Sequence, residues 1–420
     1  MNKNLRVINN YIFIDAPLLG KGSFGIVYPV INRMNNKPYA AKRISKQMIS
    51  EKNLTQQLRN EMTVHKKLDH KNIIGYYDQF CTNEDIFIIL EKCNSETLEK
   101  ICSNYKKFFD KDLSLKVIQH FIRQIVSAVF YMHSKGIIHR DLKLENIMIK
   151  FPNVNEEVNN KNGYFYYNEN YVSSWEAFED LLLTSTIKII DLGFAKQLDN
   201  SGFTSSFLGT PAFVAPEILK KKSMENKNGI RYSSKVDTWS IGVIAFMLLT
   251  GRFPFEMSIN IKSFNDLYLL QKTGNYYLEN DVYTSLELLD FINGMLQFSE
   301  SKRFSCFELD QHPYIKNDLS EQKLIFVRQI NKNTKYLEMN SGERREFIID
   351  FSSNIASIEG DVTMEESAVF SRRIDEFFEN DQEIDKLFNI YTRINLYETI
   401  ENDYVIISLT SEDLKKEEAK

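Results

Sequence analysis

The feature that most constrains the fold is a short segment in which a polar loop separates two apolar stretches, Ile138 to Ile149, I-H-R-D-L-K-L-E-N-I-M-I. Its polar side chains are His139, Arg140, Asp141, Lys143, Glu145 and Asn146. An ordinary turn needs one or two polar residues together with Gly or Pro, and this loop contains neither Gly nor Pro. The spacing predicts a loop that holds a carboxylate base (Asp141), a cation (Lys143) and an amide metal ligand (Asn146) over one site.

A glycine-rich segment near the N-terminus joins two apolar runs between Leu18 and Tyr28, L-L-G-K-G-S-F-G-I-V-Y. Its G-x-G-x-x-G pattern consists of Gly20, Gly22 and Gly25. Glycines allow backbone amides to approach phosphate oxygens closely. The same pattern marks dinucleotide-binding folds, which require a following helix and an acidic residue about 20 positions later. Because Ile26 to Tyr28 continue as a strand, the sequence favours a glycine-rich hairpin.

The segments that follow extend this pattern with a strand and a helix. Pro29 removes a hydrogen-bond donor, so we expect it at a sheet edge or a bulge. Pro38 to Ile44, P-Y-A-A-K-R-I, reads as a strand that contains Lys42. Glu51 to Leu68 has helical periodicity. The residues on its common face are Leu54, Leu58, Met62, His65 and Leu68.

Glu61, in this helix, is the preferred ion-pair partner of Lys42, and Glu51 is the weaker alternative. We expect His65 and His70 to be structural or solvated and not metal ligands.

These motifs together resemble the eukaryotic protein kinases. The polar loop matches their catalytic loop, H-R-D-L-x-x-x-N, and a lysine two residues after Asp141 is typical of the serine/threonine form. Ile187 to Gly193, I-K-I-I-D-L-G, resembles a strand followed by D-F-G, with Leu192 in place of Phe. Ala215-Pro216-Glu217 matches A-P-E, and Asp237 to Gly242 resembles the D-x-W-S-x-G start of a core helix. The motifs also occur in the order that the family shows.

The resemblance implies an α+β, two-lobed kinase fold. A small antiparallel β-sheet lobe with one helix (11–91) would precede a larger, mainly helical lobe (92–315), so that the kinase domain spans 11–315. The region 151–186 is longer than the usual connection. We interpret it as a surface insertion, neutral or regulatory, that is mobile in its first part and contains a helix at Trp175 to Leu183. A partly helical C-terminal extension (316–420) would follow, with amphipathic segments at 324–330, 347–358 and 384–391.

The resemblance also implies ATP and Mg²⁺ as cofactors and protein Ser/Thr residues as substrates. In this arrangement Asp141 accepts the proton of the substrate hydroxyl and Lys143 neutralises the transferred phosphoryl group. Lys42, held by Glu61, clamps the phosphates, and the implied metal ligands are Asn146 and Asp191. Leu90 guards the back of the adenine pocket, and the backbone at Glu91 and Cys93 binds the adenine edge. The implied nucleotide-binding residues are Leu19, Gly20, Gly22, Ser23, Gly25, Val27, Ala40, Lys42, Leu90, Glu91, Cys93 and Met148.

The segment from Asp191 to Glu217 corresponds to an activation segment. Arg140 is expected to pair with a phosphate there, because a charge-assisted contact of this kind orders the loop. We expect Ser206 to carry that phosphate, added by an upstream kinase or by autophosphorylation. The alternative sites are Thr204 and Ser205, and Thr210 is expected to dock the substrate.

The segment also contains Glu217, for which Arg303 is the expected ion-pair partner.

The composition argues against other classes of protein. The net charge of −5 gives no global basic field for nucleic acid or a membrane surface. The four cysteines form no C-x-x-C pair, which fits reduced thiols in an intracellular, cytoplasmic protein. The N-terminus has no apolar run typical of a signal peptide, and the apolar stretch Ile241 to Leu249 is too short to cross a bilayer.

Two rival functions remain open from the sequence alone. A pseudokinase scaffold would act through the insertion and the tail, but it predicts loss of Lys42, Asp141 or Asn146, and all three are present. A small-molecule kinase of related fold is less favoured, because the segment from Gly209 to Glu217 resembles the peptide-docking segment of protein kinases.

Overall fold

A computed structural model describes residues 6–14, 17–22, 25–51, 55–152, 159–161, 164–167, 170–171, 174–192, 196–197, 211–223, 233–255, 263–273, 282–322, 324–330 and 403–408. The chain divides into two compact units, residues 1–113 with 120–209, and residues 114–119 with 210–420. Within the described ranges, no helix is long and apolar enough to cross a membrane.

The first unit begins with a seven-stranded antiparallel sheet. Its strands are β1 (Arg6–Ile8), β2 (Tyr11–Phe13), β3 (Gly20–Gly22), β4 (Gly25–Asn32), β5 (Pro38–Ser45), β6 (Tyr76–Cys81) and β7 (Asp85–Glu91). Their spatial order is β1-β2-β4-β5-β7-β6, and β3 pairs with β4. Between β5 and β6 lie α1 (Lys46–Glu51) and α2 (Thr55–His65). The glycine-rich hairpin and the strand around Lys42 are therefore confirmed.

The two faces of this sheet bury separate apolar clusters, because residues alternate between faces along a strand. One cluster consists of Tyr11, Val30, Tyr39, Ala41 and Ile89. The other, on the side of α1 and α2, consists of Ile44, Ile49, Leu58 and Ile88. The predicted helical face is confirmed at Leu58, and buried His65 bonds the carbonyl oxygen of Ile74 at 2.8 Å. As predicted, this histidine is structural.

Pro29 does not lie at an edge or a bulge, so that prediction was wrong. It pairs with Ala40 inside β4, which has β2 and β3 on one side and β5 on the other. Its carbonyl oxygen accepts a bond from Ile14 N at 3.2 Å. The pairing of β2 with β4 ends next to this position, at Phe13 and Val30. The missing N–H is tolerated because it falls where a ladder stops.

Helices and short strand pairs follow this sheet, and apart from residues 115–119 they belong to the first unit. The elements are α3 (Leu98–Phe109), α4 (Leu115–Ser134), β8 (Ile137–Ile138), β9 (Ile147–Lys150), β10 (Asn159–Lys161), β11 (Tyr164–Tyr167), β12 (Asn170–Tyr171), α5 (Trp175–Thr184), β13 (Thr186–Ile189) and β14 (Lys196–Gln197). Six apolar residues at helical spacing in α4 are all buried, namely Ile118, Phe121, Ile122, Ile125, Val129 and Met132. Gly136 follows α4 with φ 69°, as expected for a helix C-cap.

The C-terminal part of the insertion is a helix that is anchored on the rest of the first unit. The predicted helix is confirmed as α5, and its Phe178 is fully buried. Phe178 stacks with Tyr105 of α3, at 6.1 Å between ring centroids. The Tyr105 hydroxyl donates to Glu179 Oε1 at 3.0 Å. The C-terminal part of the insertion is therefore held on α3.

The second unit is mainly helical. Its elements are α6 (Pro216–Ser223), α7 (Lys235–Thr250), α8 (Phe264–Thr273), β15 (Val282–Ser285), α9 (Leu286–Met295), α10 (Cys306–Gln311), α11 (Pro313–Lys316), β16 (Leu324–Ile330) and β17 (Asp403–Ser408). The apolar stretch Ile241 to Leu249 lies in α7, as predicted for a core helix. A Cβ on Gly242 would lie 2.8 Å from Met295 Cβ, so glycine permits α7 to approach α9.

The extension was predicted to be partly helical, and its described residues include a short 3₁₀ helix, Leu319–Glu321, and two strands. Leu324 to Ile330, predicted as an amphipathic segment, is β16, which pairs antiparallel with β15 and β17. The segments 347–358 and 384–391 lie outside the described residues. The antiparallel sheet followed by helices confirms the α+β class.

Candidate active site

The polar loop lies in the first unit, between β8 and β9, and it brings Asp141 and Asn146 into direct contact. Asn146 Nδ2 donates to the Asp141 carboxylate Oδ2 at 2.9 Å and to the Asp141 carbonyl oxygen at 2.8 Å. Lys143 Nζ lies 3.4 Å from the same Oδ2, and the carboxylate is buried. The predicted carboxylate, cation and amide therefore meet at one point.

His139 connects this loop to the segment that carries Asp191. The ring is fully buried, and its Nε2 lies 3.2 Å from the carbonyl oxygen of Ile190. Its Nδ1 accepts from Asp141 N at 3.3 Å. Both contacts are satisfied if Nε2 carries the proton, because a carbonyl only accepts. Ile190 N also donates to the Asn146 carbonyl at 2.9 Å, so the two segments are joined twice.

Arg140 and Asp191 have left-handed backbone conformations, with φ of 70° and 57°. Residues other than glycine rarely adopt this region, and such a conformation costs on the order of 1–3 kcal/mol. Strain of this kind persists only where surrounding contacts impose it. Here the hydrogen bonds of His139 and Asn146 hold both positions.

Lys42, on β5, faces Asp191. Lys42 Nζ lies 3.7 Å from Asp191 Oδ1, and the lysine side chain is mostly buried. This contact joins the sheet to the segment after β13, within one unit. Glu61 lies in α2, but its side chain is outside the described residues, so its ion pair with Lys42 stays a prediction.

The register of the sheet places three of the predicted nucleotide-binding residues on the same face as Lys42. Val27 pairs with Lys42, and Ala40, two residues before Lys42, pairs with Leu90. Paired residues share a face. Val27 and Leu90 are half-buried and Ala40 is buried. An apolar surface therefore adjoins the lysine.

In the glycine-rich hairpin, a side chain could be added at Gly20 without a clash but not at Gly25. A Cβ on Gly20 would meet nothing within 4 Å, whereas a Cβ on Gly25 would lie 2.1 Å from the carbonyl oxygen of Arg43. Gly25 is thus required for β4 to approach β5, whereas the space at Gly20 is open.

At the end of β7, the Glu91 backbone N donates to the Gly75 carbonyl at 2.8 Å. The Glu91 carbonyl is therefore the backbone group to which the predicted adenine contact applies. Cys93 is buried, and desolvation raises the pKa of its thiol to about 12. This thiol is a neutral packing group at physiological pH.

The sequence did not draw attention to Lys150 and Lys188, although both lie close to the predicted adenine contact. Their ammonium groups contact the Glu91 carboxylate at 2.5 and 2.7 Å. The signal was a lysine in each of two otherwise apolar strands, I-M-I-K and T-I-K-I. A charged residue inside a strand normally marks a solvated face, so the pattern alone predicted no contact.

The described residues fit a magnesium site completed by phosphate oxygens. Asp191 supplies a carboxylate and Asn146 an amide oxygen, since the amide nitrogen of Asn146 is occupied by Asp141. Within the described part of the chain, no group of three or more His, Cys, Asp and Glu side chains could hold a metal ion. Mg²⁺ is commonly bound by one or two carboxylates together with substrate phosphates and water.

Several predicted residues lie outside the described part of the chain. These are Ser23, Thr204, Ser205, Ser206 and Thr210. The predicted pair of Glu217 and Arg303, in the second unit, is confirmed as a bidentate contact at 2.7 and 2.9 Å.

Comparison with known proteins gives consistent matches. A family model described as Protein kinase domain matches residues 13–315. The chain is 32% identical over 301 residues to the probable serine/threonine-protein kinase CCRP1 of Zea mays, covering 71% of this chain and 40% of that protein. It is 30% identical over 318 residues to serine/threonine-protein kinase D3 of Mus musculus, covering 76% of this chain and 30% of that protein.

A further match, at 33% identity over 304 residues, is to calcium-dependent protein kinase 5 of Plasmodium berghei, covering 72% of this chain and 45% of that protein. The chain therefore spans less than half the length of each of these three relatives.

Proposed function

The chain belongs to the protein kinase family, since the family match covers most of its length, and on this premise we propose that it is a serine/threonine kinase. It transfers the γ-phosphoryl group of ATP to Ser and Thr hydroxyls of proteins. The observation that carries the proposal is the meeting of Asp141, Lys143 and Asn146 at one point, with Lys42 facing Asp191 in the same unit. All the charged groups that phosphoryl transfer needs are retained.

The proposed roles follow from charge and reach. Asp141 orients the substrate hydroxyl and accepts its proton, because its carboxylate is fixed by Asn146. Lys143, 3.4 Å from that carboxylate, neutralises charge on the transferred group. Lys42 binds the phosphates. A lysine two residues after the base is typical of kinases that act on Ser and Thr, which supports this specificity.

Asn146 and Asp191 would hold Mg²⁺. When bound, the ion would neutralise negative charge on the phosphates. His139 links the two ligands, because its ring bonds the residue before Asp191 and the backbone of Asp141, whose carboxylate accepts from Asn146.

We further propose that the kinase domain spans 11–315, with lobes at 11–91 and 92–315, and that phosphorylation of the activation segment regulates activity. Arg140 would bind the phosphate, with Ser206 as the expected site. Activity that is unchanged in Ser206→Ala, with no phosphate mapped to this segment, would contradict the regulatory proposal alone.

The main test is transfer of radioactive phosphate from ATP to generic protein substrates, followed by analysis of the labelled amino acids. Asp141→Ala should lower kcat by roughly 10²–10⁴-fold, because it removes the general base. Asp180→Ala, on the exposed side of α5, is the matched control and should retain the wild-type rate. Label on Ser and Thr supports the proposed specificity. Label that is equal in Asp141→Ala and wild type contradicts the assignment, as does the absence of transfer by wild type.

A further inference from the structure

A buried carboxylate at the end of β7 is held by two lysines from a different sheet. Glu91 Oε1 contacts Lys150 Nζ at 2.5 Å, and Glu91 Oε2 contacts Lys188 Nζ at 2.7 Å. Oε2 also accepts from Gly75 N at 3.1 Å. The side chains of Glu91 and Lys188 are only 9% and 11% exposed, so this cluster lies inside the unit.

The two lysines belong to the strand pair that carries the metal ligands. Lys150 ends β9, which begins directly after Asn146, and Lys188 lies in β13, which ends two residues before Asp191. Lys188 pairs with Met148, and Lys150 lies two residues beyond Met148. All three side chains therefore share the face of the strand pair that includes the predicted adenine-contacting Met148.

The two lysines stabilise the ionised form of the Glu91 side chain. Burial alone would raise its pKa, but the hydrogen bonds and charges of Lys150 and Lys188 outweigh burial, and its pKa lies below the ordinary value. Two ammonium groups share one carboxylate, so loss of that carboxylate would leave the buried Lys188 and the half-buried Lys150 without their counter-charge. Breaking a buried pair in this way is strongly unfavourable.

We propose that the Glu91 side chain is a positioning residue for the nucleotide. It fixes the end of β7, whose backbone carries the predicted adenine contact, against the strands that present Asn146, Met148 and Asp191. The adenine ring and the phosphates would then be held at a set separation. This inference rests on the proposed function, because it assumes that ATP binds to the described face of the sheet.

A purely structural ion pair would act on stability and leave nucleotide affinity unchanged. The same strand offers a matched control at its other end, where the buried carboxylate of Asp85 pairs with Arg43 Nε at 2.8 Å. Asp85 lies far from the predicted adenine contact along β7, since Ser45 and Tyr39 are the β5 partners of the two ends. Glu91→Gln and Asp85→Asn thus make the same chemical change at opposite ends of one strand.

The experiment measures the binding of adenosine, tripolyphosphate and ATP to the full chain by titration calorimetry, together with KM for ATP and kcat. In Glu91→Gln, we expect the Kd of adenosine and of ATP to rise by about tenfold, with the Kd of tripolyphosphate unchanged. KM for ATP should rise with little change in kcat. Asp85→Asn should leave all three dissociation constants at their wild-type values.

Lys150→Met is the second variant, in case Glu91→Gln does not fold. It leaves the ion pair of Glu91 and Lys188 in place. We therefore expect the Kd of adenosine to rise less than in Glu91→Gln. Adenosine binding that is unchanged in the folded variants overturns the inference and leaves the kinase assignment intact. Equal weakening in Asp85→Asn overturns it too, because the effect would then be general. Wild type that binds no nucleotide contradicts both the inference and the proposed function.

Discussion

The Arg303 side chain is fully buried and makes four hydrogen bonds. It donates to both carboxylate oxygens of Glu217, to the Lys235 carbonyl at 2.9 Å and, through Nε, to the Gln297 carbonyl at 3.1 Å. Its guanidinium also lies 5.0 Å from the ring centroid of Trp239. A planar fork of donors is needed to make these contacts together, so lysine cannot replace it.

We predict that Arg303→Lys destabilises the protein by about 1–3 kcal/mol, because lysine keeps the charge but leaves some of the buried acceptors without a donor. Urea unfolding followed by circular dichroism measures this change. Lys316→Met, which removes a half-exposed pair with Asp310, is the control and should cost less than about 1 kcal/mol. A loss for Arg303→Lys no larger than that of the control would contradict the prediction.

Glu91 should make stability depend on acid pH. Its folded-state pKa is below the ordinary value of 4.5, so its charge stabilises the fold fully above that pH. As pH falls through the lowered folded-state value, this contribution is lost. We predict that the difference in unfolding free energy between wild type and Glu91→Gln is constant near neutral pH and shrinks below about pH 4.5. Urea titrations at a series of pH values test this, and a constant difference throughout would contradict it.

The sequence predicted secondary structure best where an apolar pattern is compatible with only one type of element. The helix α7 was recognised because its residues are apolar on all sides, as is typical of a helix buried in a core. The sequence did not identify Leu324 to Ile330 as a strand, because a short apolar run fits a helix or a strand equally well. Its strand state depends on pairing with β15 and with residues 403–408, distant in sequence.

The part of the candidate site that is formed by residues close in sequence was predictable, and the part formed by distant strands was not. Asp141, Lys143 and Asn146 lie within six residues, so spacing alone brought them together. The contact of Glu91 with Lys150 and Lys188 joins three strands far apart in sequence. No local pattern encodes a pairing of that kind, and only the assembled strands reveal it.

The insertion helix α5 should contribute to the stability of the first unit, because Phe178 is fully buried against Tyr105 and Phe109. We predict that Phe178→Ala costs about 3–5 kcal/mol through lost burial and the cavity that remains. The control Glu176→Ala changes an exposed residue of the same helix and should have little effect. Urea unfolding of both variants measures the difference, and near-equal midpoints would show that α5 is only loosely attached.

At the scale of the whole molecule, the family match and the packed structure end at different residues. The match ends at residue 315, but the chain stays packed on the second unit beyond that residue, and Gln322 is buried. Ser285 Oγ donates to Gln322 Oε1 at 2.7 Å. The carbonyl oxygen of Asn317, another residue beyond the family match, accepts a hydrogen bond from Gln119 at 3.1 Å. The residues from 316 to 322 therefore complete the core around α9 and α11.

We predict that a chain ending at Ile315 is less stable than one ending at Lys323 by about 2–3 kcal/mol, because it lacks the buried hydrogen bonds of Asn317 and Gln322. The shorter chain leaves Ser285 Oγ without its Gln322 acceptor and Gln119 without one of its two carbonyl acceptors. Thermal and urea unfolding of the two truncated chains measure the difference. Gln322→Ala in the full chain should reproduce part of the loss, since it removes the Ser285 contact while keeping Asn317. Equal stability of the two truncated chains would mean that residues 316–322 only cover a core that is complete without them.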